Sequence, residues 1–410
     1  MAVDGTNPVL RCSETLGFMS ARPRIMIDAR MLVGRFSGVG RVVTRLVDEL
    51  AKREDLRVVA LCGSEPYPAW IGRKEIEIIT NTFGRADRTA IRRLFWEETK
   101  LPAIIRRADV DLYHATWNSG VPVRCPVPAV LTIHDLIPWH SPKEHFATFA
   151  QKHCYRHAVR ASARRAARVT TVSEYVRKDV LSRFGCEATR VVAIPNGVDR
   201  PGPLTAPRHA ADRPYVLYVG GHEQRKNIAG VFKIMEHYWR RFDSSLELRL
   251  TGHIASLSSD AADVFHHLPQ NAPLRFLGDP TDEELARLYS SADALLLLSH
   301  DEGFGLTVLE AMAHGCTVIA AANAALPEVV GDAGILVNPD DPHAVSDAVH
   351  RIRTSPAERE DLIRRGLIRA SAFTWQTMAE RILGLYQAVL SESVFSRGSL
   401  PTEAIPAGAA

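Results

Sequence analysis

A chain of 410 residues is too long for one typical domain, so we expect two domains. Its 46% apolar and 24% charged residues are ordinary for a globular protein, and a net charge of +3 is too small to identify a partner. Six cysteines without a C-x-x-C pair argue against a zinc ribbon or a disulfide framework and fit a reducing compartment. No uninterrupted apolar run reaches about 18 residues, so we expect no membrane-spanning helix and predict a cytoplasmic protein.

The first ordered element is predicted to be a βα unit. Residues 1–22 show no periodicity and are expected to form a loose N-terminal tail. A short apolar strand over 24–28 leads through a glycine turn at 37–41 into an amphipathic helix over 42–52. The turn is not the G-x-G-x-x-G dinucleotide fingerprint, because position 43 is Val, and a simple tight turn explains it equally well.

Two stretches in the first half of the chain are rich in basic residues. The stretch 85–107 mixes them with aromatic and aliphatic residues, and 152–168 carries one at every fourth position. A step of four residues rotates by only about 40° around a helix, so the second set forms one stripe. Both stretches could contact an anionic membrane surface, and the stripe could contact a diphosphate-linked acceptor, but a solvated helix face explains them at least as well. Nucleic acid is disfavoured, because few aromatic residues accompany the stripe. The stripe consists of Lys152, Arg156, Arg160, Arg164 and Arg168.

Two short motifs raise the question of metal chemistry. Asp109-Val110-Asp111 matches a D-x-D metal motif, but three-residue matches are common and these aspartates merely precede a strand. His134-Asp135 could mark a metal phosphohydrolase, yet that class is all-helical and this pair follows the β-branched strand 129–133. His140 and His145 lack a fixed ligand spacing. We therefore predict no metal site and expect His134, at the carboxyl end of a parallel strand, to contact a ligand.

A proline-rich run at 200–214 predicts the linker between a first domain at 23–199 and a second domain at 215–375. The second domain opens with an apolar strand and a loop that ends in Arg225 and Lys226 at a helix start. At such a place a diphosphate would meet backbone N–H donors and positive charge together.

The stretch from His300 to Glu310 joins the end of an apolar strand to the start of a helix, which is where ligands bind in open α/β sheets. Gly303 and Gly305 allow the backbone to approach a ligand closely. Glu302 lies in the loop and Glu310 on the helix, so both carboxylates can face one cleft. Two solvated glutamates are the alternative, but strand, glycine loop, helix and both carboxylates together favour a site.

This stretch closely resembles the E-x7-E motif of retaining glycosyltransferases of the GT-B fold, family 4. The segments 194–199, 311–320 and 326–334 are also similar to that family. The resemblance implies an α/β fold of two Rossmann-like α/β/α domains whose parallel sheets face each other across a cleft, with the acceptor on the first domain and the nucleotide sugar on the second. It also implies a helix at 376–392 that crosses back to the first domain. The remainder, 393–410, is rich in Gly, Pro and Ala and is expected to be disordered.

The resemblance implies a role for each candidate residue around the donor sugar. Glu302 would bind sugar hydroxyls and steady positive charge at the anomeric carbon, and Glu310 would bind the ribose. His134 would lie close to the transferred sugar. Further donor contacts would come from Gly38, Val39, Phe276, Leu277, Gly303, Phe304 and Gly305.

The resemblance also implies how the diphosphate would be held. Arg225, Lys226 and the N–H groups around Leu306 and Thr307 would stabilise the leaving group, so neither a metal nor another cofactor is expected. The family often has an arginine where Gly221 stands in this chain, so either Arg225 carries more of the phosphate contact or the donor lies in a slightly different position.

The expected function is transfer of a sugar, with retention of configuration, from a nucleotide-sugar donor to a glycan or polyprenyl-diphosphate-linked acceptor in bacterial polysaccharide or lipopolysaccharide biosynthesis. The stretches 28–30 and 134–138 are similar to bacterial mannosyl- or rhamnosyltransferases, so GDP-mannose is the preferred donor. Contact through the basic stretches would place the protein on the inner face of the plasma membrane.

Three alternatives are a sugar-nucleotide epimerase, a phosphorylase and a noncatalytic nucleotide- or glycan-binding protein. No motif for the Lys-bound pyridoxal phosphate of phosphorylases is found. The joint presence of Glu302, Glu310, Arg225 and Lys226 argues against a decayed site. Residue spacing does not encode the donor base, the acceptor, the linkage or the oligomeric state.

Overall fold

The computed structural model describes residues 22–32, 38–83, 90–200 and 213–398. The expected N-terminal tail up to residue 21 and the centre of the expected linker, 201–212, lie outside the described residues, as do parts of the glycine turn and of the first basic stretch.

Seven parallel strands form the sheet of the first domain: β1 (Arg24–Asp28), β2 (Arg57–Leu61), β3 (Ile76–Ile79), β4 (Leu112–Ala115), β5 (Ala129–Ile133), β6 (Arg168–Thr171) and β7 (Val191–Ala193). Their order in the sheet is β3-β2-β1-β4-β5-β6-β7. β4 and β5 are buried along their whole length, because helices cover both faces of the sheet. The strand order changes direction between β1 and β4, and ligands are expected at the carboxyl ends of the strands at such a point.

The helices of the first domain are α1 (Gly38–Ala51), α2 (Ala90–Thr99), α3 (Leu101–Arg107), α4 (Ile137–His140), α5 (Pro142–His145), α6 (Phe149–Arg165) and α7 (Glu174–Phe184). α1 begins at Gly38, four positions before the predicted start, so the glycines of the turn form the first turn of the helix. α6 begins with a reciprocal capping box between Thr148 and Gln151. The Ser173 side chain caps α7 by accepting from the Val176 N–H.

Six parallel strands form the second sheet: β8 (Tyr215–Tyr218), β9 (Glu247–Leu250), β10 (Leu274–Phe276), β11 (Ala294–Leu297), β12 (Val318–Ala321) and β13 (Ile335–Val337). Their order is β10-β9-β8-β11-β12-β13, so the direction changes between β8 and β11. The helices around this sheet are α8 (Ile228–Arg241), α9 (Ser259–His266), α10 (Asp282–Ser291), α11 (Leu306–Ala313), α12 (Leu326–Val330), α13 (Pro342–Thr354) and α14 (Pro356–Ser371). The predicted pair of Rossmann-like domains with parallel sheets is confirmed.

The last helix, α15 (Trp375–Gly398), packs on α1 of the first domain. Met378, Ile382 and Tyr386 are buried there, and the Tyr386 hydroxyl lies 2.6 Å from Nδ1 of His114 on β4. The expectation that disorder begins at 393 is wrong for 393–398, because the first stop signals after the helical run are Gly398 and Pro401. Residues 399–410 lie outside the described part of the chain.

The crossover of the chain back to the first domain depends on one glycine. A Cβ on Gly197 would lie 2.2 Å from the backbone nitrogen of Trp375, so only glycine fits between β7 and the start of α15. The Trp375 indole N–H donates to Asp199 over 2.9 Å at the same junction. Within the described residues, no helix is both long and apolar enough to cross a bilayer.

Candidate active site

A cleft of about 1250 Å³ separates α1 from the carboxyl edge of the second sheet. The first domain contributes Arg41, Thr44 and Arg45 to its wall. The second domain contributes the loops after β8, β9 and β10, at 219–223, 251–258 and 278–285. The cleft therefore lies at the carboxyl ends of β8, β9 and β10, on one side of the switch point between β8 and β11, and ligands are expected at this edge of a doubly wound sheet.

Glu302 lies in a cluster of opposite charges just beside this cleft. The Lys226 ammonium is 2.5 Å from one carboxylate oxygen of Glu302, and a guanidinium nitrogen of Arg225 is 3.8 Å from the same oxygen. Burial by itself would raise the pKa of Glu302, but the charges of Lys226 and Arg225 outweigh it and hold the pKa below its usual range. Glu302 is thus an anion at neutral pH, with two cations on one side of it.

The local backbone explains why both cations point the same way. Arg225 and Lys226 form a single 3-10 turn that ends at Asn227, which has a positive φ of 55°. Asparagine tolerates this conformation, and its side chain then caps α8 by accepting from the Gly230 N–H. Arg225 also donates to the Asp301 carbonyl over 3.3 Å, which ties this turn to the loop that carries Glu302.

Glu310 projects from α11 and is paired with the first domain. The Arg41 guanidinium of α1 contacts one oxygen of the carboxylate, and the Tyr289 hydroxyl donates to the other over 3.2 Å. Arg41 also lies 3.0 Å from Asp282 at the start of α10. Burial raises the pKa of Glu310, although the charge of Arg41 opposes this. The carboxylate expected to bind ribose thus already has a cationic partner from across the cleft.

Arg41 and Tyr289 are not predicted from the sequence as site residues. Arg41 lies one turn after the start of α1, which contains Gly38 and Gly40. A cation just after a glycine-rich helix start is the local feature that could have indicated a site residue. Tyr289 carries no local signal, because its position on α10 resembles that of any buried aromatic residue.

The N-terminal ends of α1 and α11 meet across the cleft. A Cβ on Gly38 would lie 3.1 Å from the Leu306 side chain at the first position of α11. Gly305 precedes α11 with a φ of 104° and has no side chain to cap the helix, so the N–H groups around Leu306 and Thr307 stay available. Two helix N-termini converge here, and each carries positive partial charge that suits an anion.

His134 lies behind the Glu302 loop, at the end of β5. Its Nε2 donates to the Thr116 carbonyl over 2.9 Å, and its backbone N–H donates to Asn118 over 2.8 Å. Burial lowers the pKa of His134 to about 4, so the ring is neutral at physiological pH. With Nε2 as the protonated nitrogen, Nδ1 is left as an acceptor.

Gly303 of the second domain packs closely against the backbone of this histidine. A Cβ on Gly303 would lie 2.1 Å from the His134 carbonyl oxygen, and the Gly303 carbonyl accepts from the Ser173 hydroxyl over 2.7 Å. A glycine is therefore required for the two domains to close on each other as they do here.

Replacement of Gly303 by alanine is expected to lower kcat/KM at least tenfold, a change of about 1.4 kcal/mol, because the new methyl group collides with the backbone of the other domain. Gly303 lies in a loop outside the strands of both sheets, so the melting temperature should change little. The matched control is Gly384→Ala on α15, where a Cβ meets no atom within 4 Å. Steady-state kinetics together with small-angle scattering check the prediction, and an active, equally compact Gly303→Ala enzyme would contradict it.

Two residues predicted to contact the donor, Phe304 and Phe276, have side chains that pack away from the cleft. Phe304 is buried at the domain junction with its ring 6.0 Å from that of Phe373. Phe276 packs against Phe265 and His222 within the second domain. The backbone beside it is closer to the cleft, because Leu277 precedes Gly278, which lines the wall. Val39 is half-buried on the first turn of α1.

The D-x-D motif lies at the opposite edge of the first sheet. The Asp111 carboxylate accepts from the Arg24 backbone N–H over 2.7 Å at the amino end of β1, and the Asp109 carbonyl accepts from the Arg24 side chain. These residues therefore brace the strand ends that face away from the cleft. Among the described residues, no group of three His, Cys, Asp or Glu side chains is arranged to hold a metal ion.

Four arginines of the basic stripe bind groups within the protein itself. Arg160 and Arg164 donate to the carbonyls of Arg183 and Phe184, which end α7. Arg156 donates to the Trp139 carbonyl, and its guanidinium lies 4.9 Å above the Trp139 ring. Arg168 pairs with Glu392 on α15. These four side chains thus hold α7 and α15 in place, which differs from the solvated helix face given as the alternative. The prediction of one helical stripe is wrong for Arg168, because α6 ends at Arg165 and Arg168 begins β6.

Two family models match the chain: the one described as Glycosyltransferase Family 4 matches residues 36–200, and the one described as Glycosyl transferases group 1 matches residues 205–368. The O-antigen chain mannosyltransferase B of Escherichia coli is 29% identical over 272 residues, 63% of this chain and 70% of that protein. Sucrose-phosphate synthase from Thermosynechococcus elongatus aligns with 90% of this chain and 100% of its own at a TM-score of 0.70 and 22% identity. Anabaena HepE, solved with UDP and glucose, aligns with 89% of this chain and 100% of its own at a TM-score of 0.68 and 17% identity.

The chain belongs to the GT-B glycosyltransferases that these two family models describe. The two matches together cover most of both domains, and the boundary between them, at 200–205, falls within the predicted linker. At their low sequence identities, the two solved structures establish the shared fold alone.

Proposed function

We propose that this enzyme transfers mannose from GDP-mannose, with retention of configuration, to a glycan or polyprenyl-diphosphate-linked acceptor in the assembly of a bacterial surface polysaccharide. The observation that carries the proposal is that Glu302, Lys226 and Arg225 lie beside the converging N-termini of α1 and α11. Glu310 lies on α11 as well. This arrangement offers one anion to a sugar and concentrated positive charge to a diphosphate. The similarity to an O-antigen mannosyltransferase supports the choice of sugar and pathway.

In the proposed reaction, the acceptor hydroxyl attacks the anomeric carbon on the face from which the diphosphate departs. The bond from that carbon to phosphate oxygen breaks, the bond to the acceptor oxygen forms, and the departing phosphate takes the acceptor proton. Lys226, Arg225 and the N–H groups at the start of α11 stabilise the charge on the leaving group. Glu302 steadies the positive charge on the sugar. Retaining glycosidases instead use two carboxylates as acid and nucleophile, but here Glu302 is ion-paired with Lys226 and Glu310 is ion-paired with Arg41.

A residue in the cleft wall near Gly278 supports guanine as the base of the donor. Asp279 lies in this wall with its carboxylate largely exposed, beside His253. A carboxylate can accept from both the ring N–H and the 2-amino group of guanine, whereas uracil presents one such N–H. HepE was solved with UDP, so UDP-sugars are the competing donors to test.

The experiment is a thermal-shift screen of GDP-, UDP-, dTDP- and ADP-sugars, followed by turnover of the best donor with and without EDTA. GDP-mannose should give the largest stabilisation, and activity should survive EDTA because side-chain cations and helix N-termini neutralise the diphosphate. Larger stabilisation by another nucleotide sugar would reject GDP-mannose as the donor. Activity lost with EDTA and restored by Mn²⁺ or Mg²⁺ would reject metal independence. Incubation without acceptor separates the alternatives, since an epimerase changes the sugar and a transferase at most hydrolyses it slowly.

The proposed lipid-linked acceptor calls for a surface that reaches the membrane. On α2, Ile91 and Phe95 are 56% and 69% exposed and share one face, and Phe149 at the start of the adjoining α6 is 76% exposed. Arg92 and Lys100 are exposed on the same helix and at its end. Exposed apolar side chains beside basic ones suit an anionic bilayer surface.

Flotation with vesicles checks this surface. The protein is expected to float with vesicles that contain phosphatidylglycerol, and the double change Phe95→Ser and Phe149→Ser should lower the bound fraction severalfold. Ile254→Ser is the matched control, because Ile254 is also exposed but lies on the second domain. Equal flotation of all three proteins, or none with the wild type, would reject this surface as the membrane contact.

A further inference from the structure

One histidine bridges the two domains beside the site. His140, at the end of α4 in the first domain, lies with Nδ1 2.6 Å from the Asp301 carboxylate of the second domain. Its Nε2 lies 2.7 Å from the Asp179 carboxylate on α7 of its own domain. All three side chains are largely buried, with exposures of 23% for His140 and 13% for each aspartate.

Both ring nitrogens face carboxylate oxygens, so both must carry a proton to make these bonds. The hydrogen bonds to Asp179 and Asp301 raise the pKa of His140 to about 9. The other groups at this cluster are Arg183, which pairs with Asp179, and Tyr175, whose hydroxyl donates to Asp301 over 3.3 Å. His140 is therefore an imidazolium at neutral pH.

Asp301 connects this bridge to the residues that face the donor. Its carbonyl accepts from Arg225, and the next residue is Glu302. The His300 N–H donates to the Arg225 carbonyl over 2.8 Å, so both ends of the short segment are fixed to the turn that carries Arg225 and Lys226. A displacement of the Asp301 side chain is thus transmitted directly to Glu302.

A second contact joins α7 to the second domain. The Glu328 carboxylate of α12 accepts from the backbone N–H groups of Glu174 and Tyr175, each over 3.0 Å, at the start of α7. An anion at this place is favoured by the unpaired N–H groups of the helix. α7 is therefore held by the second domain at its N-terminus and through Asp179 and His140 farther along.

We propose that His140, held as an imidazolium between Asp179 and Asp301, is a positioning residue that sets the Asp301–Glu302 segment against the first domain in the closed enzyme. It touches neither sugar nor phosphate. It acts by fixing the segment that carries Glu302 relative to the domain on which the acceptor is expected. The kinetic test of this role rests on the proposed sugar transfer, because kcat can be measured only if the donor is turned over.

The sign of the pH dependence follows from the direction of the shift. The pKa of His140 is raised in the closed protein, so the bridge is fully present below the ordinary histidine value of 6.5 and is lost as pH rises through about 9. An alkaline fall in kcat near that pH is therefore expected in the wild type.

The test compares His140→Gln with the wild type over pH 6 to 10, with His145→Gln, an exposed neighbour, as the matched control. For His140→Gln we expect kcat about tenfold lower at neutral pH, donor KM and nucleoside diphosphate affinity within threefold of wild type, and no alkaline fall near pH 9. His145→Gln should match the wild type in all of these. A His140→Gln enzyme with wild-type kcat and pH profile would overturn the proposal, and so would a loss confined to nucleotide affinity.

Asp179→Asn is the second variant and leaves the contact between domains in place. It removes one of the two charges that raise the pKa of His140, so the alkaline fall in kcat should move to lower pH. An unmoved fall would overturn the proposal even if His140→Gln failed to fold. Nitrogen-15 NMR of the histidine rings gives a readout without substrate: a doubly protonated ring that titrates near pH 9 and is absent from His140→Gln supports the bridge even if no tested sugar nucleotide is turned over.

Discussion

Lys226→Ala is expected to lower kcat/KM at least 30-fold, which corresponds to about 2 kcal/mol of transition-state stabilisation. The change removes a cation expected to face the departing diphosphate, in a site with little access to water. It also leaves the largely buried Glu302 carboxylate without the partner that lies 2.5 Å away, so the pKa of Glu302 should rise as well. Steady-state kinetics with saturating acceptor check the prediction.

The two consequences of losing Lys226 can be separated. If the ammonium binds phosphate directly, Lys226→Ala should lose affinity for the nucleoside diphosphate but little for the nucleoside alone. If it only holds Glu302 in place, diphosphate affinity should persist while kcat falls. Lys233→Ala, an exposed lysine on α8, is the matched control and should be neutral. A decrease below about threefold in Lys226→Ala would show that the donor is docked elsewhere.

Substitution of Glu302 and substitution of Glu310 are expected to change different kinetic and binding constants. Glu310 is proposed to hold ribose, a group whose charge does not change during reaction, so Glu310→Gln should raise donor KM and weaken nucleoside diphosphate binding. Glu302 is proposed to face the sugar, where positive charge grows as the bond to phosphate lengthens. Glu302→Gln should therefore chiefly lower kcat, by about 100-fold. Calorimetric binding of the nucleoside diphosphate, beside kinetics, gives both quantities.

The pairing of each glutamate sharpens the expected binding results. Glu302→Gln leaves Lys226 without its partner, so diphosphate affinity should stay within a few-fold of wild type or increase. Glu310→Gln removes both the charge that pairs with Arg41 and the carboxylate expected to accept from the ribose hydroxyls, so nucleoside diphosphate affinity should fall. Glu360→Gln, at an exposed position on α14, serves as the control and should be neutral. Loss of nucleotide affinity in Glu302→Gln with retention in Glu310→Gln would show that the two roles are reversed.

Several features of the site could be predicted because they are local. Glu302, Gly303 and Gly305 belong to one strand, loop and helix, and the start of a helix after a parallel strand fixes where such residues lie. Lys226 and Arg225 occupy the equivalent place after β8, so the two loops had to meet at one edge of the second sheet. Helix ends were less predictable: α1 begins at Gly38 and α15 continues to Gly398, because glycine at a helix start and a polar helical end carry weak signals.

The amino-acid sequence by itself thus determined the class of fold, the strands and helices that carry the site, and the identity of the charged residues at their ends, whereas β3, α9 and β13 were not predicted. Only the tertiary structure decided which of them face each other between domains. Arg41 and Glu310 are 269 positions apart, and His140 and Asp301 are 161 apart. Periodicity fixes a side chain's direction within its own helix or strand, but the docking of one domain on another depends on surfaces assembled from many segments. That is why the Arg41 pair and the His140 bridge emerge only when the two domains are seen together.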